Sequence, residues 1–154
     1  MRWLPSLQPL YILQQRISSL VVLVNREVYH RYMYLVAALW NWILAVTFLT
    51  LPRIDIHYFS LAGDTIPPTL LWFDCFMGLV FAFGIGFYLI SLDMHKNHGL
   101  VMIAVFEKVW VFVIGLYYFL IAEASALVLA VVTGDLIFGL LFLEDLLAVR
   151  RSTQ

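Results

Sequence analysis

Runs of about twenty mostly apolar residues are what a helix needs to cross the ~30 Å hydrocarbon layer of a bilayer, and four such runs stand between charge or proline punctuation in this chain. The first, 32–51, holds no charge, is led in by Arg26, Glu27, His30 and Arg31, and is stopped by Pro52 and Arg53. The second, 69–92, follows Pro67 and Pro68 and is interrupted only by Asp74. The third, 99–122, contains the adjacent pair Glu107 and Lys108, and the fourth, 124–147, contains Asp135 and ends before Arg150 and Arg151. The pattern predicts an all-α membrane protein, an antiparallel four-helix transmembrane bundle occupying 32–147, with a segment 1–31 before it and a short tail 148–154 after it.

The first segment reads differently. Leu13, Ile17, Leu20, Val21, Val24 and Val28 recur at helical spacing while Gln14, Gln15, Ser18, Ser19, Asn25 and Arg26 fall largely elsewhere, the pattern of an amphipathic helix lying at the interface. Pro5 and Pro9 are expected to break regular structure before it. A cleaved signal peptide fits less well, because the run from Leu20 to Val24 is short for its apolar region and no A-x-A site follows.

Basic residues set the expected orientation, since cytoplasmic flanks retain Lys and Arg. Arg2, Arg16, Arg26, Arg31, Lys96, Arg150 and Arg151 fall on one side of a four-span layout and Arg53 alone on the other. Both termini are therefore expected in the cytoplasm, with the protein in the plasma (inner) membrane. The third loop, around Glu123, is so short that it makes the last two spans a tight hairpin.

Composition narrows the function classes. Of 154 residues, 64% are apolar and 12% charged, and mean hydropathy is +0.94, far from the balance of a soluble domain. A formal charge of −1 offers no basic field to hold a nucleic acid, and a single cysteine, Cys75, permits no internal disulfide.

Polar residues at bilayer depth carry the remaining information, because each must be paired or functional. Asn41 lies in line with Ala37, Ala38 and Ala45; Lys108 shares a face with Ala104 and Gly115; Asp135 shares one with Val131, Val132 and Gly139. Asp74, Gly78, Ala82 and Gly86 form a small-xxx-small stripe of the kind that packs membrane helices. These stripes predict that all four polar residues face the bundle interior. Asn41, Lys108 and Asp135 fall at similar depth, so a Lys108–Asp135 pair with Asn41 beside it is expected, as structural glue or as a proton- or ligand-handling group. Glu107 points about 100° away from Lys108, along the face of Ile103, Trp110 and Ile114, so it either reaches a subunit or lipid partner, such as a partner chain's cation, or is a neutral, protonated carboxyl hydrogen-bonded within the bundle. Trp40, Trp42 and Trp110 sit well inside spans, where they pack the bundle or line a pocket for an apolar ligand.

The histidines His30, His57, His95 and His98 fall at span ends or in loops, which disfavours a haem held by two imidazoles at bilayer depth. Asp93, His95 and His98 form D-x-H-x-x-H, which His30 could join. This is a weak metal pattern, and the expectation is no metal. No nucleophile elbow, zinc-protease motif, P-loop or dinucleotide fingerprint is present, so an enzyme would have to work with the buried carboxylates alone.

In size, four-span layout and short connecting loops, residues 32–147 resemble the small bacterial inner-membrane proteins loosely called DoxX-like. The resemblance is one of architecture, and implies a quinone-linked role only through some members of that group. Two functions are carried forward: a non-catalytic subunit or assembly factor packed against other membrane subunits or a second copy, and a binding protein or proton-coupled carrier for an apolar ligand such as a lipid or quinone. Neither requires a cofactor beyond that ligand, and membrane lipid is a partner in both.

Overall fold

The structure is a computed structural model that describes residues 8–62, 66–94 and 96–152, with side chains described for 26–60, 66–94 and 96–148. Four long helices make up the fold: α1 (Gln8–Ile54), α3 (Leu71–Leu92), α4 (His98–Leu120) and α5 (Ala126–Ser152). Between α1 and α3 lie a 3-10 turn, Ile56–Tyr58, and the single-turn helix α2 (Phe59–Ala62). Four helical stretches are long and apolar enough to cross a membrane: Arg26–Ile54, Leu71–Leu92, His98–Leu120 and Ala126–Ala148.

Three boundaries differ from those read in the sequence, one being the end of the first span, where α1 runs through Pro52 and Arg53 to Ile54 instead of stopping before them. The 47 residues of α1 run through Tyr32 without a break, so the segment before the first span and the span itself are one helix. No Gly or Pro lies between Leu10 and Leu51 to interrupt it, and Pro9 falls in the first turn, where its missing N–H would have had no helical partner. The amphipathic pattern of residues 13–25 concerns side chains outside the described residues. At the other end, the helical backbone of α5 continues through the expected tail to Ser152.

Packing divides the molecule into two hairpins, α1 against α3 and α4 against α5. The α4–α5 turn is tight because α4 ends in a Schellman motif. Glu123 N–H donates to Tyr118 O at 2.9 Å and Ala122 N–H to Phe119 O at 3.1 Å. This closure places Ala122 at φ 60°, the left-handed conformation in which glycine is the usual occupant.

Each long helix buries one stripe. On α1 it is Met33, Tyr34, Ala37, Ala38, Asn41 and Ala45; on α4, Val101, Ala104, Lys108 and Gly115; on α5, Val132, Asp135, Gly139, Phe142, Asp145 and Leu146. These are the faces that small residues mark in the sequence. On α3 the buried stripe is instead Met77, Gly84, Phe87, Ile90 and Ser91. Gly78, Ala82 and Gly86 lie on the outer side of that helix, and added Cβ atoms at the two glycines would meet nothing within 4 Å. The close approach of α1 and α3 occurs at Gly84, where a Cβ would sit 2.5 Å from the Trp42 ring.

Candidate functional site: a polar centre beneath an apolar cavity

Lys108 is 1% exposed, and an ammonium held that deep in an apolar bundle must find acceptors within it. Nζ donates to Asp135 Oδ1 at 2.5 Å and to Asn41 Oδ1 at 2.7 Å. The Asn41 amide then donates through Nδ2 to Val80 O, 3.1 Å away on α3. One chain of polar contacts thus ties all four long helices together, α3 through its backbone and the others through side chains. The Phe87 ring centroid stands 5.2 Å from Nζ and adds a cation–π contact.

Glu107 does not follow the face of its neighbours outward. Ile103, Trp110 and Ile114 are exposed, but the Glu107 side chain is nine-tenths buried, and its Oε2 lies 3.6 Å from Lys108 Nζ. That separation gives electrostatic attraction without a hydrogen bond, and Oε2 has no hydrogen-bond partner among the described residues. One ammonium is shared between two carboxyl groups.

Above this centre is a cavity of about 160 Å³ with walls from all four long helices. Glu107, Lys108 and Asp135 border it at mid-helix; Leu44, Met77, Val80, Val111, Val131 and Val132 form apolar walls; Phe48, Phe76, Leu127 and Tyr58 border it toward the end where α3 and α5 begin. Tyr58 is positioned by Phe48, 5.9 Å between ring centroids, and Phe59 by Phe73, 5.0 Å. Burial raises the Tyr58 phenol above its ordinary pKa.

In the opposite direction an aromatic layer closes the bundle. Phe87 and Phe142 are 5.3 Å apart, Phe142 stacks on Tyr34 at 4.6 Å, and Phe138 joins at 6.1 Å. Beyond it His30 Nδ1 stands 2.5 Å from Asp145 Oδ1 without the alignment of a hydrogen bond, and the Asp145 side chain is fully buried. Read from the sequence, the first span starts at Tyr32, His30 is a residue flanking that span, and Asp145 is assigned no role. The signal was available: His30, Tyr34, Ala37, Ala38 and Asn41 share one face of a continuous helix, and Asp145 follows Phe138 and Phe142 at helical spacing.

Other sites read in the sequence resolve as follows. Asp74 does not face the interior; it pairs with Arg53 at 2.8 Å, both partly exposed, because Arg53 extends α1 far enough to offer a cation near the end of the bundle. None of Trp40, Trp42 and Trp110 borders the cavity. Trp40 packs on Phe138, Trp42 fills the gap over Gly84 and donates to Phe81 O at 3.3 Å, and Trp110 stacks on Phe106 with half of its surface exposed. His95 lies outside the described residues, His98 opens α4, and His30 faces Asp145. No group of three His, Cys, Asp or Glu side chains able to hold a metal occurs among the described residues. Asp93 accepts from Lys96 N–H at 3.1 Å and pairs with its ammonium at 3.1 Å, ordering the turn between α3 and α4.

Comparison with protein-family models, with curated proteins and with solved structures returns no match to this chain.

Proposed function

We propose that this chain is a small integral membrane protein that binds an apolar ligand, of the lipid or quinone class, in the cavity bordered by Glu107, Lys108 and Asp135. The observation that carries the reading is the cavity itself: a space with apolar walls from four helices and three convergent ionisable groups at one side, the usual make-up of a small-molecule site. A bundle built only for structural support would fill that space with side chains, since empty volume forfeits packing energy. The Lys108–Asp135 pair also supplies a group whose protons could be coupled to ligand transit in a carrier.

In this reading the helices form an antiparallel bundle in the plasma (inner) membrane, with both termini cytoplasmic, as the distribution of Lys and Arg favours. The N-terminal part of α1, continuous with the first span, then extends on the cytoplasmic side. Protein purified in mild detergent should retain a stoichiometric apolar molecule on organic extraction. Val131→Trp, which fills the cavity, should lose it. Wild type that yields nothing, or a variant that yields the same amount, counts against the proposal.

A second reading, a non-catalytic subunit or assembly factor, is favoured by the exterior position of Gly78, Ala82 and Gly86 on α3, where a helix of another chain could approach closely. A chain that always elutes alone as a monomer from mild detergent would remove it.

A further inference from the structure

The cavity is closed at one end and thinly covered at the other. Toward mid-helix it stops at Glu107, Lys108 and Asp135, and beyond them stand Phe87 and Phe142, 5.3 Å apart, with Tyr34 stacked on Phe142 at 4.6 Å. The exposed residues on its border are Phe76, at 47%, and Leu127, at 50%. Both lie in the first two turns of their helices, at the end where α3 and α5 begin.

The connection between α1 and α3 crosses that end: its 3-10 turn follows α1, and α2 lies against α5. Within it, Tyr58 borders two spaces at once. On one side is the apolar cavity; on the other is a groove of about 330 Å³, lined also by Leu51, Ile54, Asp55, His57 and Ser60, most of them exposed. One side chain forms the wall that the two share. The backbone around it is fixed, since Tyr58 N–H donates to Asp55 O at 3.1 Å, Ser60 Oγ donates to His57 O at 2.6 Å, and Phe59 is buried edge-on against Phe73 at 5.0 Å. The Tyr58 ring itself is held by a tilted contact with Phe48, 5.9 Å between centroids.

A guest entering a close-packed interior must displace part of the wall, and the least costly part is the one whose movement leaves helix packing intact. Parting two helices breaks many contacts together, whereas a side chain at the surface turns about its own bonds alone. We propose that the groove is the mouth of the cavity and that Tyr58 is its gate, so that a ligand enters from the end of the bundle rather than from lipid between the helices. This deepens the ligand-binding reading above by giving the route to the same cavity.

The test is the rate at which methyl methanethiosulfonate, small and neutral, modifies a thiol on the cavity wall of the full chain in detergent micelles. Cys75→Ser removes the exposed native thiol, and Val131→Cys supplies the one in the cavity. Adding Tyr58→Ala should speed the reaction about tenfold or more, Tyr58→Phe, which keeps the ring, should leave it unchanged, and Tyr58→Trp should slow it. As a control, Ser91→Cys in place of Val131→Cys puts the thiol at a buried position near the opposite end of α3, where none of these changes should alter the rate.

An unchanged rate at position 131 in Tyr58→Ala overturns the gate and makes lipid the side of entry. Acceleration at positions 131 and 91 alike shows the whole bundle loosened, and overturns it equally. If the alanine variant does not fold, Tyr58→Trp decides, and a rate no slower than with tyrosine overturns the gate. The apolar molecule recovered on extraction is a separate measurement, so the route and the ligand-binding reading fail independently.

Discussion

Lys108→Met and Asp135→Leu remove opposite ends of the same contact, yet the structure makes them unequal. Without Lys108, Asp135 Oδ1 and Asn41 Oδ1 both lose their donor and two carboxyl groups, Asp135 and Glu107, face each other with no cation between them. Breaking a buried pair from that side costs about 3–5 kcal/mol in soluble proteins, and the lower end applies here because helices unfolded within a bilayer still find some partners. Without Asp135, Lys108 keeps Asn41 at 2.7 Å and has Glu107 at 3.6 Å, close enough to move in and accept. That loss is about 1–3 kcal/mol, the scale of one buried hydrogen bond left unmade. The double replacement should recover part of the Lys108→Met loss, giving a coupling of about 1–3 kcal/mol between the sites. Reversible unfolding in mixed micelles of increasing denaturing detergent, followed by circular dichroism, measures all four corners of the cycle. An Asp135→Leu variant less stable than Lys108→Met, or two losses that simply add, would refute this account of how the charge is shared.

Further expectations can be measured on the same preparation. Gly84→Ala should destabilise the α1–α3 hairpin by about 1–3 kcal/mol, because its Cβ would stand 2.5 Å from the Trp42 ring, whereas Gly86→Ala, with open space around it, should be neutral or stabilising by up to about 1 kcal/mol in detergent. Comparable losses in the two would mean that α3 packs on its other face. Ala122→Gly should stabilise the α4–α5 turn by about 1 kcal/mol, since φ 60° strains any residue with a Cβ; a lower melting temperature would contradict the Schellman closure. His30→Ala strands the fully buried Asp145 and should cost about 3 kcal/mol, with Asp145→Leu in the same background restoring part of it; a His30→Ala variant as stable as wild type would show that the pair contributes nothing.

The helices were legible in the sequence because bilayer thickness and helical rise leave few ways to arrange runs of apolar residues. The faces of α1, α4 and α5 were legible because each pairs a polar residue with small ones at helical spacing, and a charge at that depth has nowhere else to go. The same rule misassigned α3. Small residues mark a close approach only when something approaches, and Asp74 sits near enough to the helix end to be satisfied by Arg53 outside the core. Glu107 was beyond a helical-wheel reading, since its long side chain turns back toward Lys108 from an outward-facing backbone position. The cavity was beyond it too, because empty space is set by the joint packing of Leu44, Val80, Val111 and Val131 on four different helices and by no one of them.

The central claim is that the space beside Glu107, Lys108 and Asp135 accepts an apolar guest. Methyl NMR of the isotopically labelled full chain, titrated with benzene in micelles, observes this directly. Shifts and intermolecular Overhauser effects should be confined to the methyl groups of Leu44, Val80, Val111, Val131 and Val132 and should saturate. Effects that never saturate, or that spread over the exposed methyl groups of Ile43, Ile103 and Ile137, would place benzene in the detergent rather than in the protein and contradict the account.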